Sequence, residues 1–83
     1  MLKSFWLINP NRSYVKRFTK NQKNEDKFFE YIFIDDGKVI SIFGKEPPLM
    51  KNREEVKIDE ARKIWNRLVL QGWRRTKPIW ENN

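Results

Sequence analysis

Residues 59–73 read DEARKIWNRLVLQGW, and this stretch decides the fold. Apolar side chains at Ala61, Ile64, Trp65, Leu68 and Val69 recur with the i, i+3, i+4, i+7, i+8 spacing of one helix face. Asp59 is the N-cap candidate; if the helix starts a turn earlier, Asp59 and Glu60 still lie at its positive end. Arg67 complements the negative end. Gly72 can take the positive φ that stops a helix, and Trp73 can then pack back on Leu68. A stripe this wide needs an apolar surface to lie on, and the rest of the chain supplies strands.

The strongest of these lies at residues 28–43, where FFEYIFI and VISIF flank Asp35-Asp36-Gly37-Lys38. Asp-Gly favours a tight hairpin turn, because both positions tolerate positive φ. With Asp36-Gly37 as the loop, Ile34 faces Val39. Phe29, Tyr31, Phe33, Ile40 and Ile42 then share a wholly apolar or aromatic face, which the pattern assigns to the helix. Glu30, Ile32, Ile34, Val39, Ser41 and Phe43 share the other.

Residues 2–8 form a short apolar run read as a strand, Asn9-Pro10-Asn11-Arg12 a turn, and YVKRF at 14–18 a second strand closing a hairpin with the first. Residues 19–27 carry no apolar side chain and read as a solvated, mobile loop. Residues 44–56 are irregular, with Pro47-Pro48 unable to donate to a ladder. The basic segment RRTKPIW at 74–80 is available as a further edge strand, and residues 81–83 should fray. The expectation is one α+β domain over 1–83: an antiparallel sheet of about four strands, in two successive hairpins, covered on one face by a single C-terminal helix.

An 83-residue chain is one domain and buries only about 60–65% of its unfolded surface, so its 12 aromatic residues must make the core dense. There is no cysteine, hence no disulfide, which suits a reducing compartment. No segment reaches the ~18–20 apolar residues of a membrane span, and residues 1–6 lack the apolar core of a signal peptide. A cytoplasmic, soluble protein is expected. The net charge of +7 suits a nucleic-acid partner. Yet the chain is rich in Lys, Asn, Ile and Phe, residues with A/T-rich codons, and such a drift makes a basic protein without any anionic partner.

Chemistry is narrowed further by the absence of histidine and cysteine. This removes His general bases, Cys nucleophiles and Cys/His metal sites. Asp35-Asp36 reads as a turn and Glu54-Glu55 as a solvated run, neither with the spaced oxygens of a calcium loop. No catalytic residue, metal site or cofactor site is assigned, and the chain is expected not to be an enzyme. Two binding roles follow. In the first, Ile32, Ile34, Val39 and Phe43 form an apolar face that meets a protein partner or a second copy. In the second, Lys63, Arg67, Trp73, Arg74, Arg75 and Lys77 gather around the helix end and bind nucleic acid.

Several segments together resemble a known family: WLINP at 6–10, VKRF at 15–18, FIDDG at 33–37, PPLMKNR at 47–53, and the helix that ends in Gly72-Trp73-Arg74 with Pro78 and Trp80 beyond. They resemble the domain-of-unknown-function family numbered sixteen fifty-one, small cyanobacterial proteins, mostly marine. That family's turn after Asn-Pro usually carries an acidic residue and Gly, where this chain has Asn11-Arg12. The resemblance implies a cyanobacterial, cytosolic protein and carries over no activity and no site.

Overall fold

A computed structural model describes residues 3–41 and 46–77. Among the described residues there are five strands and one helix: β1 (Ser4–Ile8), β2 (Tyr14–Lys20), β3 (Tyr31–Lys38), β4 (Leu49–Lys57), α1 (Ile58–Leu70) and β5 (Arg74–Thr76). The strands form one sheet in the order β4-β3-β2-β1-β5, each pair of neighbours antiparallel. The α+β arrangement with a C-terminal helix on one face is therefore as expected, and residues 74–76 do add an edge strand.

The first hairpin turns through residues 9–13. Asn9 holds it: its Oδ1 accepts from the Ser13 and Tyr14 amides at 2.8 and 2.9 Å, while its carbonyl accepts the Arg12 amide at 2.9 Å. Arg12 sits at φ 60°, a left-handed conformation that glycine adopts without steric cost. At the other end of β2, Thr19 and Lys20 belong to the strand rather than to the loop. Thr19 is buried and its hydroxyl meets that of Ser4 at 2.8 Å. The loop that follows is built from successive Asx turns, with Asn21, Asn24 and Asp26 each accepting the amide two residues on.

The expected second hairpin is not at Asp36-Gly37. β3 runs straight through both residues, pairing Asp36 with Lys16 and Gly37 with Val15. Packing explains the glycine: a Cβ at position 37 would stand 2.6 Å from Met50 Sδ and 3.1 Å from Val15 Cγ2. Gly37 is a close-approach residue in a strand, and its partner strand answers with a register shift that leaves Lys51 without an opposite number. β3 instead pairs with β4, across the connection at residues 39–48.

The two faces of β3 alternate as expected, but the helix covers the other one. The helix lies on Ile32 and Ile34, not on Tyr31, Phe33 and Ile40. Leu7, Phe18, Ile34, Ala61 and Leu68 form the main core, and Ile32, Val56, Ile64, Trp65 and Trp73 pack against it. Alternation along the strands puts Trp6, Ile8 and Val15 on the opposite face, in a smaller cluster closed by Val39 and Met50. Each fully buried side chain such as Leu7 or Ile34 stabilises the fold by about 1.5–3 kcal/mol.

α1 begins at Ile58 with Lys57 as its cap residue and no side-chain cap hydrogen bond, so Asp59 is not the N-cap; it and Glu60 sit in the first turn, at the positive end. The stop is as read. Gly72 has φ 96°, its amide reaches the Val69 carbonyl and the Trp73 amide the Leu68 carbonyl, both at 3.0 Å, which is the Schellman pattern. Val69 departs from the expected stripe, being largely exposed alongside Leu70.

Candidate binding groove

α1 connects the two outermost strands. Since all neighbours are antiparallel, β4 and β5 run in the same direction, and the chain must cross the whole sheet between them. It leaves β4 at Lys57, beside Tyr31, and enters β5 at Arg74, beside Ile8, at the opposite end of the sheet. Four strand spacings of ~4.8 Å amount to about 19 Å. A 13-residue helix spans about 20 Å and the turn at residues 71–73 adds the remainder, so α1 crosses the sheet obliquely, toward a diagonal. A diagonal rod on a rectangular sheet leaves two corners uncovered, and each becomes a groove.

The larger groove, about 790 Å³, opens where β1, β2 and β5 extend beyond the helix. Phe5, Phe18 and Ile32 form its floor and Trp65 its wall. Trp65 meets Phe18 edge-on, at 5.0 Å between centroids and 77° between planes. Among the described residues, the charges around the groove are Lys3, Lys20, Arg62 and Arg75, and no carboxylate lines it. Arg75 lies over the Phe5 ring at 5.5 Å. Lys20 pairs with Glu30 at 3.0 Å and Arg62 with Asp59 at 3.7 Å, both contacts solvent-exposed. The smaller groove, about 310 Å³, lies at the other corner between Tyr14 and Trp73 and contains the Lys16–Asp36 pair at 2.7 Å.

The face away from α1 carries a different construction. Trp6, Arg17, Asp35 and Arg53 stand in one row across β1 to β4. Asp35 is 3% exposed. Arg53 donates to both its oxygens, at 2.6 and 3.1 Å, and Arg17 donates twice to Oδ2, at 3.0 and 2.9 Å. Arg17 stacks over Trp6 and Arg53 over Phe33. Burial alone would raise the Asp35 pKa. The hydrogen bonds and charges of Arg53 and Arg17 outweigh it, and the net shift is downward. Asp35 is thereby held ionised, and its lone pairs are taken up by four N–H donors. At the loop end of the same face Asp26 is lowered, chiefly by the Phe28 amide, and Tyr31, whose hydroxyl donates to Asp26, is raised.

The two expected residue sets are redistributed. Ile32 and Ile34 lie under α1, Val39 packs on the other side against the Trp6 cluster, and Phe43 lies outside the described residues. They do not make one open face, because strand alternation and the long 39–48 connection separate them. Of the basic set, Lys63 and Arg67 are exposed on α1, and Trp73 is half-buried against the core that contains Leu68. Arg74 and Arg75 point to opposite faces, since neighbours in a strand alternate; Lys77 is exposed beyond β5. Only Arg75 reaches the groove. The residues that sequence reasoning missed are Lys3, Phe5, Lys20 and Arg62. Their one signal was the basic residue that brackets each apolar segment, and the diagonal crossing that unites them is a property of the topology.

Among the described residues no group of three or more acidic, His or Cys side chains could hold a metal, and no helix is long and apolar enough to cross a membrane. No curated protein and no solved structure gives a match. Residues 4–80 match the family described as "Protein of unknown function (DUF1651)", and the chain belongs to that family.

Proposed function

We propose that this DUF1651 protein is a non-enzymatic, cytosolic protein-interaction module whose larger groove receives an apolar anchor of its partner flanked by carboxylates. One observation carries the reading: among the described residues, the groove has an aromatic floor and only basic residues among the charged groups that line it. Apolar concavities with a few charged groups at the edge are the usual form of a binding site. The groove's volume suits one or two bulky side chains. A non-enzymatic role is supported by the lack of His and Cys and by the pairing of Asp35, the one buried carboxylate among the described residues. The lack of cysteine suits the reducing cytosol, and the family resemblance adds a cyanobacterial setting.

Nucleic acid is the weaker reading. Base stacking needs exposed ring faces. Within the groove no such face is free among the described residues: Phe18 is buried, Trp65 is engaged edge-on, and Arg75 already covers Phe5. The test is a pull-down from native lysate, with and without nuclease, using the wild type and Phe5→Glu as baits. Phe5 is 46% exposed, so the variant should fold. Proteins retained after nuclease and lost with Phe5→Glu are the expected result. Capture that vanishes on nuclease treatment refutes the reading in favour of nucleic acid.

A further inference from the structure

The exposed apolar residue with the largest unexplained surface is Phe28, 89% accessible in the loop between β2 and β3. Its neighbour Phe29 is covered in part by Lys57, whose Nζ stands 4.2 Å from the ring. No such contact protects Phe28. The segment is EDKFFE, residues 25–30, with three carboxylates and one lysine around the two rings. Asp26 fixes its shape by accepting the Phe28 and Phe29 amides at 2.8 and 3.2 Å, so the ring is presented on a braced turn. An aromatic anchor flanked by carboxylates is the chemistry that the groove calls for.

The geometry points to a second copy of the chain as the occupant: we propose that Phe28 of one copy enters the groove of another. This rests on the reading of the groove as a protein-binding site. Charge complementarity favours it: the segment is net acidic, and with Glu30 already paired to Lys20 within one copy, Glu25 and Asp26 are left to face Lys3, Arg62 and Arg75 of the other. So does position. Lys20 and Gln22 line the groove at the start of the loop, and Ile58, also in the lining, donates its amide to the Glu30 carbonyl at 2.9 Å. The loop that carries Phe28 thus starts and ends at the groove's edge, while its Asp26 and Phe29 meet Tyr31 and Lys57 of the other face. With the loop rooted at the groove's edge, two copies related by a two-fold axis can make the contact twice, a closed isologous pair. Net charge opposes association at long range, so the match must act at short range, where salt near 0.15 M leaves only charges within about 8 Å unscreened.

Sedimentation velocity over micromolar to millimolar protein, at physiological salt, tests the proposal. The wild type should dimerise. Phe28→Asp and the groove variant Lys3→Glu with Arg62→Glu should each be monomers, with the circular-dichroism spectrum and unfolding midpoint near wild type, since all three side chains are exposed. Phe28→Ala should weaken the dimer about 30-fold per contact and about 1,000-fold in all, as expected for a hot-spot aromatic used twice. Mixing the Phe28→Asp and groove variants restores one intact contact, so a heterodimer weaker than the wild-type dimer should appear. A wild-type dimer unchanged by either variant, or no heterodimer in the mixture, overturns the proposal. So does a wild type that stays monomeric throughout. In that event a peptide of residues 23–31 and a single-stranded oligonucleotide, each titrated against wild type and the groove variant, separate the two failures. Groove-dependent binding of the peptide overturns only the second copy and keeps the groove as a protein site. Binding of the oligonucleotide alone, or of neither, overturns both.

Discussion

Replacing Asp35 with alanine is expected to remove about 3 kcal/mol of stability. The carboxylate is buried and accepts four charge-assisted hydrogen bonds from Arg17 and Arg53. Removing one member of a buried ion pair costs about 3–5 kcal/mol, because the remaining charge is left without compensation. Here the guanidinium side chains keep 27% and 52% of their exposure, so water can reach them and the lower end applies. For a domain of this size ~3 kcal/mol corresponds to a fall in Tm of about 12–24 °C. Urea or thermal unfolding followed by tryptophan fluorescence measures it. The pH dependence adds a sign. The Asp35 pKa is depressed in the folded state relative to its ordinary 3.8, so its contribution is present above that value and is lost as pH falls through the folded pKa. The gap between wild type and Asp35→Asn should be constant above about pH 5 and narrow below it. A loss under about 1 kcal/mol for Asp35→Ala, or a gap that widens in acid, would refute the view that this carboxylate organises the open face.

Three further changes test the packing. Gly37→Ala should cost about 1–3 kcal/mol by overpacking against Met50, and combining it with Met50→Ala should recover part of the loss; strict additivity would mean that the glycine serves the backbone instead. Gly72→Ala should lower stability by about 1 kcal/mol or more in chemical denaturation, because φ is 96° there and the added Cβ would stand 3.1 Å from Pro10. Trp65→Ala should lose about 3 kcal/mol through its lost contacts with Phe18 and the core, and an unchanged melting midpoint would contradict the packing of α1.

The helix was legible because its signals are local: the apolar period, the acidic first turn and the Gly72-Trp73 stop all lie within a few residues of what they control. The β1–β2 hairpin was legible for the same reason. The second hairpin was not. Asp36-Gly37 is a strong local turn signal, but here long-range contacts override it. Asp35 is claimed by arginines 18 residues before and 18 residues after it, and Gly37 by Met50. The period-two alternation of β3 is as expected. But Asp35 and its two arginines occupy the face expected to meet the helix, and the helix takes the other, a reversal of the expected assignment. That reversal moved Ile32 and Ile34 from the expected partner face into the core. The groove was illegible in turn because it is the remainder of a diagonal crossing, fixed only when the strand order is known.

The place of β1 inside the sheet bears on how the protein is made. Its inner neighbour β2 follows at once, but its outer neighbour β5 arrives only after the helix has been synthesised. Until residues 74–76 leave the ribosome, one flank of β1 displays unmated amides and carbonyls beside Phe5 and Leu7, an invitation to stray strands. Translation that halts between Gly72 and Thr76 should therefore release a sticky product, whereas three more residues render the same chain safe.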